Sequence, residues 1–128
     1  MRLLIDTHAL LWWLDGDSQL SRPVRRLIAD AATEVLVSAA SAWEIATKAR
    51  LGKLPQALPI ARRIPEVIAE QGFISLGITI EHSQRAGWLP GPHRDPFDRM
   101  LAAQALALDI PIATKDRMFE SMGVNVIW

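Results

Sequence analysis

Short apolar runs recur along this chain, and each is followed by a stretch of helical character. That alternation limits the fold more than any other feature. The runs are LLI at 3–5, EVLVS at 34–38, FISLGI at 73–78, IPIATK at 110–115 and VNVIW at 124–128. Each is short, apolar and bounded by polar residues, as buried strands are. Between them the capping signals predict helices. Thr7 opens one through Leu14, closed by Asp15 and Gly16. Ser21 opens a second, with Pro23 in its first turn. Ser41 begins a third that runs to about Leu51 and stops at Gly52. Residues 57–72 hold another, with Pro65 a kink or a restart. Thr79 caps a helix through about Arg85, residues 89–96 form a Pro/Gly loop, and a further helix spans Pro96 to Leu108. A short one follows from Asp116 to Ser121. Strands separated by helices imply right-handed crossovers and a parallel sheet covered on both faces. The expectation is a three-layer α/β fold in one domain, residues 1–128. Ligands of such sheets sit at the carboxyl ends of the strands.

Composition narrows the function classes. Half of the 128 residues are apolar, enough for a core, but no run approaches the 18 or so needed to span a bilayer. The opening MRLLIDTHALLWWLDG has the look of a leader, yet Asp6 and His8 interrupt it and no small-residue cleavage site follows. It reads as a strand entering a helix. The absence of cysteine excludes disulfides and thiolate metal sites and fits a cytoplasmic location. A formal net charge of zero argues against bulk electrostatic attraction to nucleic acid, so any such role needs a local basic patch.

Acidic and hydroxyl residues gather where the strands end. Asp6 directly follows the first apolar run. Unpaired, a carboxylate there costs several kcal/mol, which a cation or a helix N-terminus offsets. Capping of the next helix is the plain alternative. Glu44 stands three residues after Ser41, which also matches a capping box. In HRDPFDRMLAAQA, Pro96 suits the first helical position, making Asp95 the N-cap. Asp98 lies three residues before Leu101 and so faces the sheet side of the apolar stripe formed by Phe97, Leu101, Ala105 and Leu108. Thr114 and Asp116 close the fourth run, and Asp116 alone could be a cap. Clustered carboxylates raise one another's pKa. Hard divalent cations relieve that, and oxygen-only ligands select Mg2+ or Mn2+ over Zn2+. Sites of this kind hydrolyse phosphodiesters.

LLIDTHALLWWL, SAASAWEIATKARLGKL, HRDPFDRMLAAQAL and IPIATKDRMF together resemble the PIN-domain family, and within it the VapC-type toxins of toxin–antitoxin pairs. The ordered set covers nearly the whole chain. The resemblance implies a parallel α/β sheet and an acidic Mg2+ site that cleaves RNA, with a cognate antitoxin partner and a homodimer. Carried over position by position, it implies Asp6, Glu44, Asp98 and Asp116 as catalytic and metal-binding acids, with Thr114 as a supporting hydroxyl. Asp95 stands as an extra acid with an accessory role left open. Thr7, Ser38 and Ser41 are candidates to hydrogen-bond the carboxylates.

On the substrate side, Lys48, Arg99 and Lys115 are the candidate RNA contacts, with solvated helix faces the alternative for each. His8 and His93 are not expected to act as general acid or base. The five tryptophans exceed what a core of this size needs. Some are expected at a dimer or antitoxin surface, where tryptophan is favoured, with core packing the plain reading for Trp43. Rival classes fare less well. A phospho-acceptor receiver needs a pair of acids after the first strand, and an Asp-x-Asp phosphatase needs an acid where His8 stands. A housekeeping RNA-processing nuclease and a non-catalytic binding module of the same fold remain the alternatives.

Overall fold

The computed structural model describes residues 1–128. Five strands, β1 (Arg2–Ile5), β2 (Glu34–Ser38), β3 (Ile74–Leu76), β4 (Ile112–Ala113) and β5 (Val126–Ile127), form one sheet in the order β3-β2-β1-β4-β5. All neighbours are parallel, with Leu4 opposite Leu36 on one side and Ile112 on the other. The helices are α1 (Thr7–Asp15), α2 (Arg22–Ala29), α3 (Ala39–Arg50), α4 (Ile64–Glu70), α5 (Ile80–Trp88) and α6 (Pro96–Leu108), with short 3-10 segments at Pro55–Ala57 and Arg117–Met122.

Strand side chains alternate between two cores, which is what makes three layers. Leu3, Ile5, Val35 and Val37 pack with Leu10, Val24 and Ile68 on one face. Leu4, Leu36 and Ile112 pack with Leu101, Ala105 and Phe119 on the other. Leu3, Leu4 and Ile5 are wholly buried, as central strands of a parallel sheet require. The chain builds the sheet outward from β1 to β3, then returns across it to add β4 and β5 on β1's free side. The order therefore reverses between β1 and β4, and a crevice opens at their carboxyl ends.

Local chemistry moved several element boundaries. Asp6, not Thr7, caps α1: its Oδ1 accepts from Ala9 N–H at 2.8 Å, and α1 ends at Gly16 in the left-handed region (φ +64°) that favours glycine. Helix α3 starts at Ala39, because Ser38 Oγ accepts from Ala40 N–H at 3.0 Å and two alanines can follow directly. Ser41 is thus inside the helix and makes no capping box with Glu44, which falls in the second turn. The helix expected over 57–72 is halved. Pro65 has no N–H to continue an earlier helix, so it opens α4 and the residues before it turn. Thr79 caps α5 as expected, in a reciprocal pair with His82. Helix α6 spans the expected residues, with Asp95 Oδ1 accepting from Phe97 and Asp98 N–H at 2.8 and 3.2 Å. No helix is long and apolar enough to cross a membrane.

Candidate active site

A cavity of about 140 Å³ lies at the carboxyl end of the sheet, lined by Asp6, Glu44, Asp95, Asp98 and Asp116 together with Lys48. The five acids arrive on four supports. Asp6 follows β1, Glu44 rides on α3, Asp95 and Asp98 open α6, and Asp116 follows β4. The larger apolar hollow beside Trp43 and Phe97 contains no acid and is a separate feature.

Asp6 is almost fully buried, at 9% exposure. Burial raises its pKa above the usual carboxylate range, while hydrogen bonds from the Thr114 hydroxyl and Ala9 N–H pull the other way. Thr114, itself fully buried, also accepts from Asp116 N–H at 3.0 Å. One hydroxyl thus orients the first and last acids. Asp116 Oδ1 caps the 3-10 turn by accepting from Met118 N–H at 2.9 Å, so its capping and site positions coincide.

Glu44 is buried and fully engaged. Thr7 Oγ1 lies 2.5 Å from Glu44 Oε1 and 3.1 Å from Ser41 Oγ, and Lys48 Nζ lies 2.5 Å from Glu44 Oε2. The single Thr7 proton goes to the carboxylate. Burial alone would lower the Lys48 pKa, but the Glu44 hydrogen bond and the charges of Glu44, Asp95 and Asp98 outweigh it and hold the ammonium above its usual value.

Asp98 is perturbed in the same direction as Asp6. Burial pushes its carboxyl up to about 6; the His93 hydrogen bond opposes this, and the charges of Asp95 and Glu44 add to it. His93 Nε2 sits 2.9 Å from Asp98 Oδ2. One ligand atom each from His93, Asp98 and Asp116 fall within 4.8 Å of one another. The acids share the cavity, but in this arrangement Asp6 and Glu44 are not within that tight trio.

Several expected roles change. Ser38 does not reach the carboxylates; it caps α3 and lies 2.5 Å from Gln104 Oε1. Gln104, buried on α6, also donates to Gly77 C=O at 3.1 Å and so ties β2, α6 and the segment after β3 together. Its only signal was a polar residue inside the run LAAQALAL. Arg99 is turned from solvent onto backbone. Its guanidinium donates to the carbonyls of Ala86, Gly87, Leu89 and His93 at 2.5–3.4 Å, clamping the loop that carries His93 and Asp95. Lys48 is likewise committed to Glu44. Lys115 is exposed, its ammonium 5.8 Å from the Trp12 ring centroid. Trp43 is not core: it is 63% exposed, edge-on to Phe97 at 5.1 Å. His93, not expected to act as general acid or base, is brought against Asp98 by the fold, and its place in the loop before α6 gave no sequence signal of that contact.

A parallel α/β domain with acids from separate elements meeting at its order-reversal crevice is built for an acid-centred reaction. Residues 3–125 match the PIN-domain family model, and the chain belongs to that family. It is 31% identical over 120 residues to Ribonuclease VapC22 of Mycobacterium tuberculosis, covering 93% of this chain and 90% of that protein. Among solved structures, VapBC2 from Rickettsia felis, bound to a DNA fragment from its promoter, superposes with a TM-score of 0.72 at 12% identity over 100% of this chain and 99% of that one. Mycobacterium tuberculosis VapC20, a sarcin-ricin loop cleaving toxin, superposes with a TM-score of 0.66 at 19% identity over 95% of both chains. At those identities the structures establish the shared fold.

Proposed function

We propose that this chain is a VapC-type endoribonuclease, the toxin of a toxin–antitoxin pair, that hydrolyses RNA phosphodiester bonds with a divalent cation. The observation that carries the reading is the convergence of Asp6, Glu44, Asp98 and Asp116, from separate elements, on one small cavity in a PIN-domain chain. The VapC22 relationship supports ribonuclease chemistry, and the toxin–antitoxin complex from Rickettsia felis supports an antitoxin partner. Mg2+ is the expected ion and Mn2+ its substitute; a homodimer in the cytoplasm completes the reading.

The residues fit such an ion. Five carboxylates line one cavity and repel one another, and the charges of Asp95 and Glu44 add to burial in raising Asp98. Asp6, Asp98, Asp116 and Glu44 would hold the cation. When bound, it activates water and stabilises the leaving oxygen. The chain's own residues supply order. Thr114 fixes Asp6 relative to Asp116, and Thr7 with Lys48 fixes Glu44. Asp95 supports the start of α6, and Arg99 holds the preceding loop. Lys115, on the exposed side beside Asp116, is the basic group left for the RNA backbone.

Expression of the chain in a bacterial host without an antitoxin should arrest growth and leave RNA fragments with defined ends. Asp116→Asn should remove both effects. Growth arrest without RNA cleavage would refute the assignment, and cleavage without arrest would favour a housekeeping RNA-processing nuclease.

A further inference from the structure

The acids account for an oxygen site, yet the trio of closest ligand atoms includes a nitrogen. One ring nitrogen of His93 and one carboxylate oxygen each of Asp98 and Asp116 lie within 4.8 Å of one another. Two ligands about 2.1 Å from a cation and at right angles to each other stand roughly 3 Å apart. The 2.9 Å between His93 Nε2 and Asp98 Oδ2 matches such an edge. The ring is also held in place. Its side chain is 15% exposed, it packs against Phe119 at 6.3 Å, and its backbone carbonyl accepts from Arg99 Nη1 at 2.9 Å. Arg99 is in turn anchored to the end of α5 through Ala86 C=O. A ring fixed this firmly beside two acids is placed as a ligand is.

We propose that His93 supplies a nitrogen ligand to the cation of this site, which becomes a mixed carboxylate–imidazole site. This rests on the reading that the acids hold a divalent cation. Without an ion, Nε2–H donates to Asp98. Ligation through Nε2 needs the neutral tautomer with its proton on Nδ1, so the hydrogen bond is exchanged for joint ligation by the two side chains. Imidazole suits first-row transition ions, whereas Mg2+ favours oxygen. The His93 ring therefore biases this site toward Mn2+ over Mg2+.

The test is electron spin-echo spectroscopy of the Mn2+-loaded chain, with calorimetric titrations of Mn2+ and Mg2+, on wild type and His93→Gln. A single cooperative melting transition and a wild-type circular dichroism spectrum without metal establish that the variant is folded. The wild type should show modulation from a directly bound 14N nucleus, and His93→Gln should lose it. Affinity for Mn2+ should fall about tenfold or more, and that for Mg2+ by clearly less. Mn2+ binding with no nitrogen coupling in the wild type overturns the ligation while leaving the acidic site standing. Coupling that persists in His93→Gln overturns it too, and would place the nitrogen on His8, which lines the cavity. Equal loss for both ions overturns the proposed bias. Failure of the wild type to bind Mn2+ at all overturns the cation reading and this inference together.

Discussion

Asp98→Asn should stabilise the metal-free protein at neutral pH while it destroys the site. Asp98 has a native pKa pushed up to about 6 from an ordinary 3.8, chiefly by burial. At about 1.36 kcal/mol for each pKa unit, the charged carboxylate costs the native state up to about 3 kcal/mol above pH 6. The sign follows from proton binding. A raised acid pKa means that the native state holds the proton more tightly than the unfolded chain. Stability therefore falls as pH rises from about 4 through about 6, then levels off. Asparagine has no charge to bury. It weakens the bond to His93, worth about 1 kcal/mol, leaving a net gain of about 2 kcal/mol. For a chain of this length that is a rise in Tm of roughly 8 °C. Thermal unfolding in EDTA, followed by circular dichroism from pH 4 to pH 8, measures it. The gap between wild type and variant should close toward pH 4, where the wild-type carboxyl is already protonated. A lower Tm for the variant at pH 7.5, or a gap independent of pH, would refute the reasoning.

Other perturbations separate the roles of neighbouring groups. Thr7→Val leaves one buried oxygen of Glu44 without its donor and should cost about 1–3 kcal/mol by chemical denaturation, with Thr7→Ser restoring most of it. Arg99→Ala should cost about 2 kcal/mol or more through the released carbonyls. It should leave the salt dependence of RNA binding unchanged, whereas loss of a phosphate contact would reduce that slope. Asp95→Asn still caps α6 and should keep most activity, in contrast to Asp98→Asn, which should abolish it; equal loss from both would show that Asp95 works at the site itself.

The contrast between Asp95 and Asp98 was legible because Pro96 marks a helix start and the apolar stripe sets the direction of its faces. The alternation of strands and helices was legible for a similar reason: apolar runs on a parallel sheet are buried on both faces and stand out. What escaped was tertiary. Two serines three residues apart, Ser38 and Ser41, offer equally good caps, and only the position of β2's end selects Ser38. Arg99 looked like a surface cation near acids because nothing in its neighbours says that residues 86–93 fold over it and present their carbonyls. His93 sits in an irregular loop, where no periodicity predicts direction, and its approach to Asp98 depends on that same clamp. Asp6 carried two readings, cap and site, and the structure has it capping α1 from within the acidic cavity.

In the proposed function the clustered acids form one cation-dependent RNA-cutting site. Cleavage of a labelled RNA by the purified, antitoxin-free chain tests it most directly, with EDTA followed by stepwise addition of Mg2+ or Mn2+. Cleavage should be absent in EDTA and recover on adding the ion, and the rate for Asp6→Asn should be lower by about a hundredfold or more at every ion concentration. Cleavage that survives EDTA, or that Asp6→Asn leaves unchanged, would contradict it.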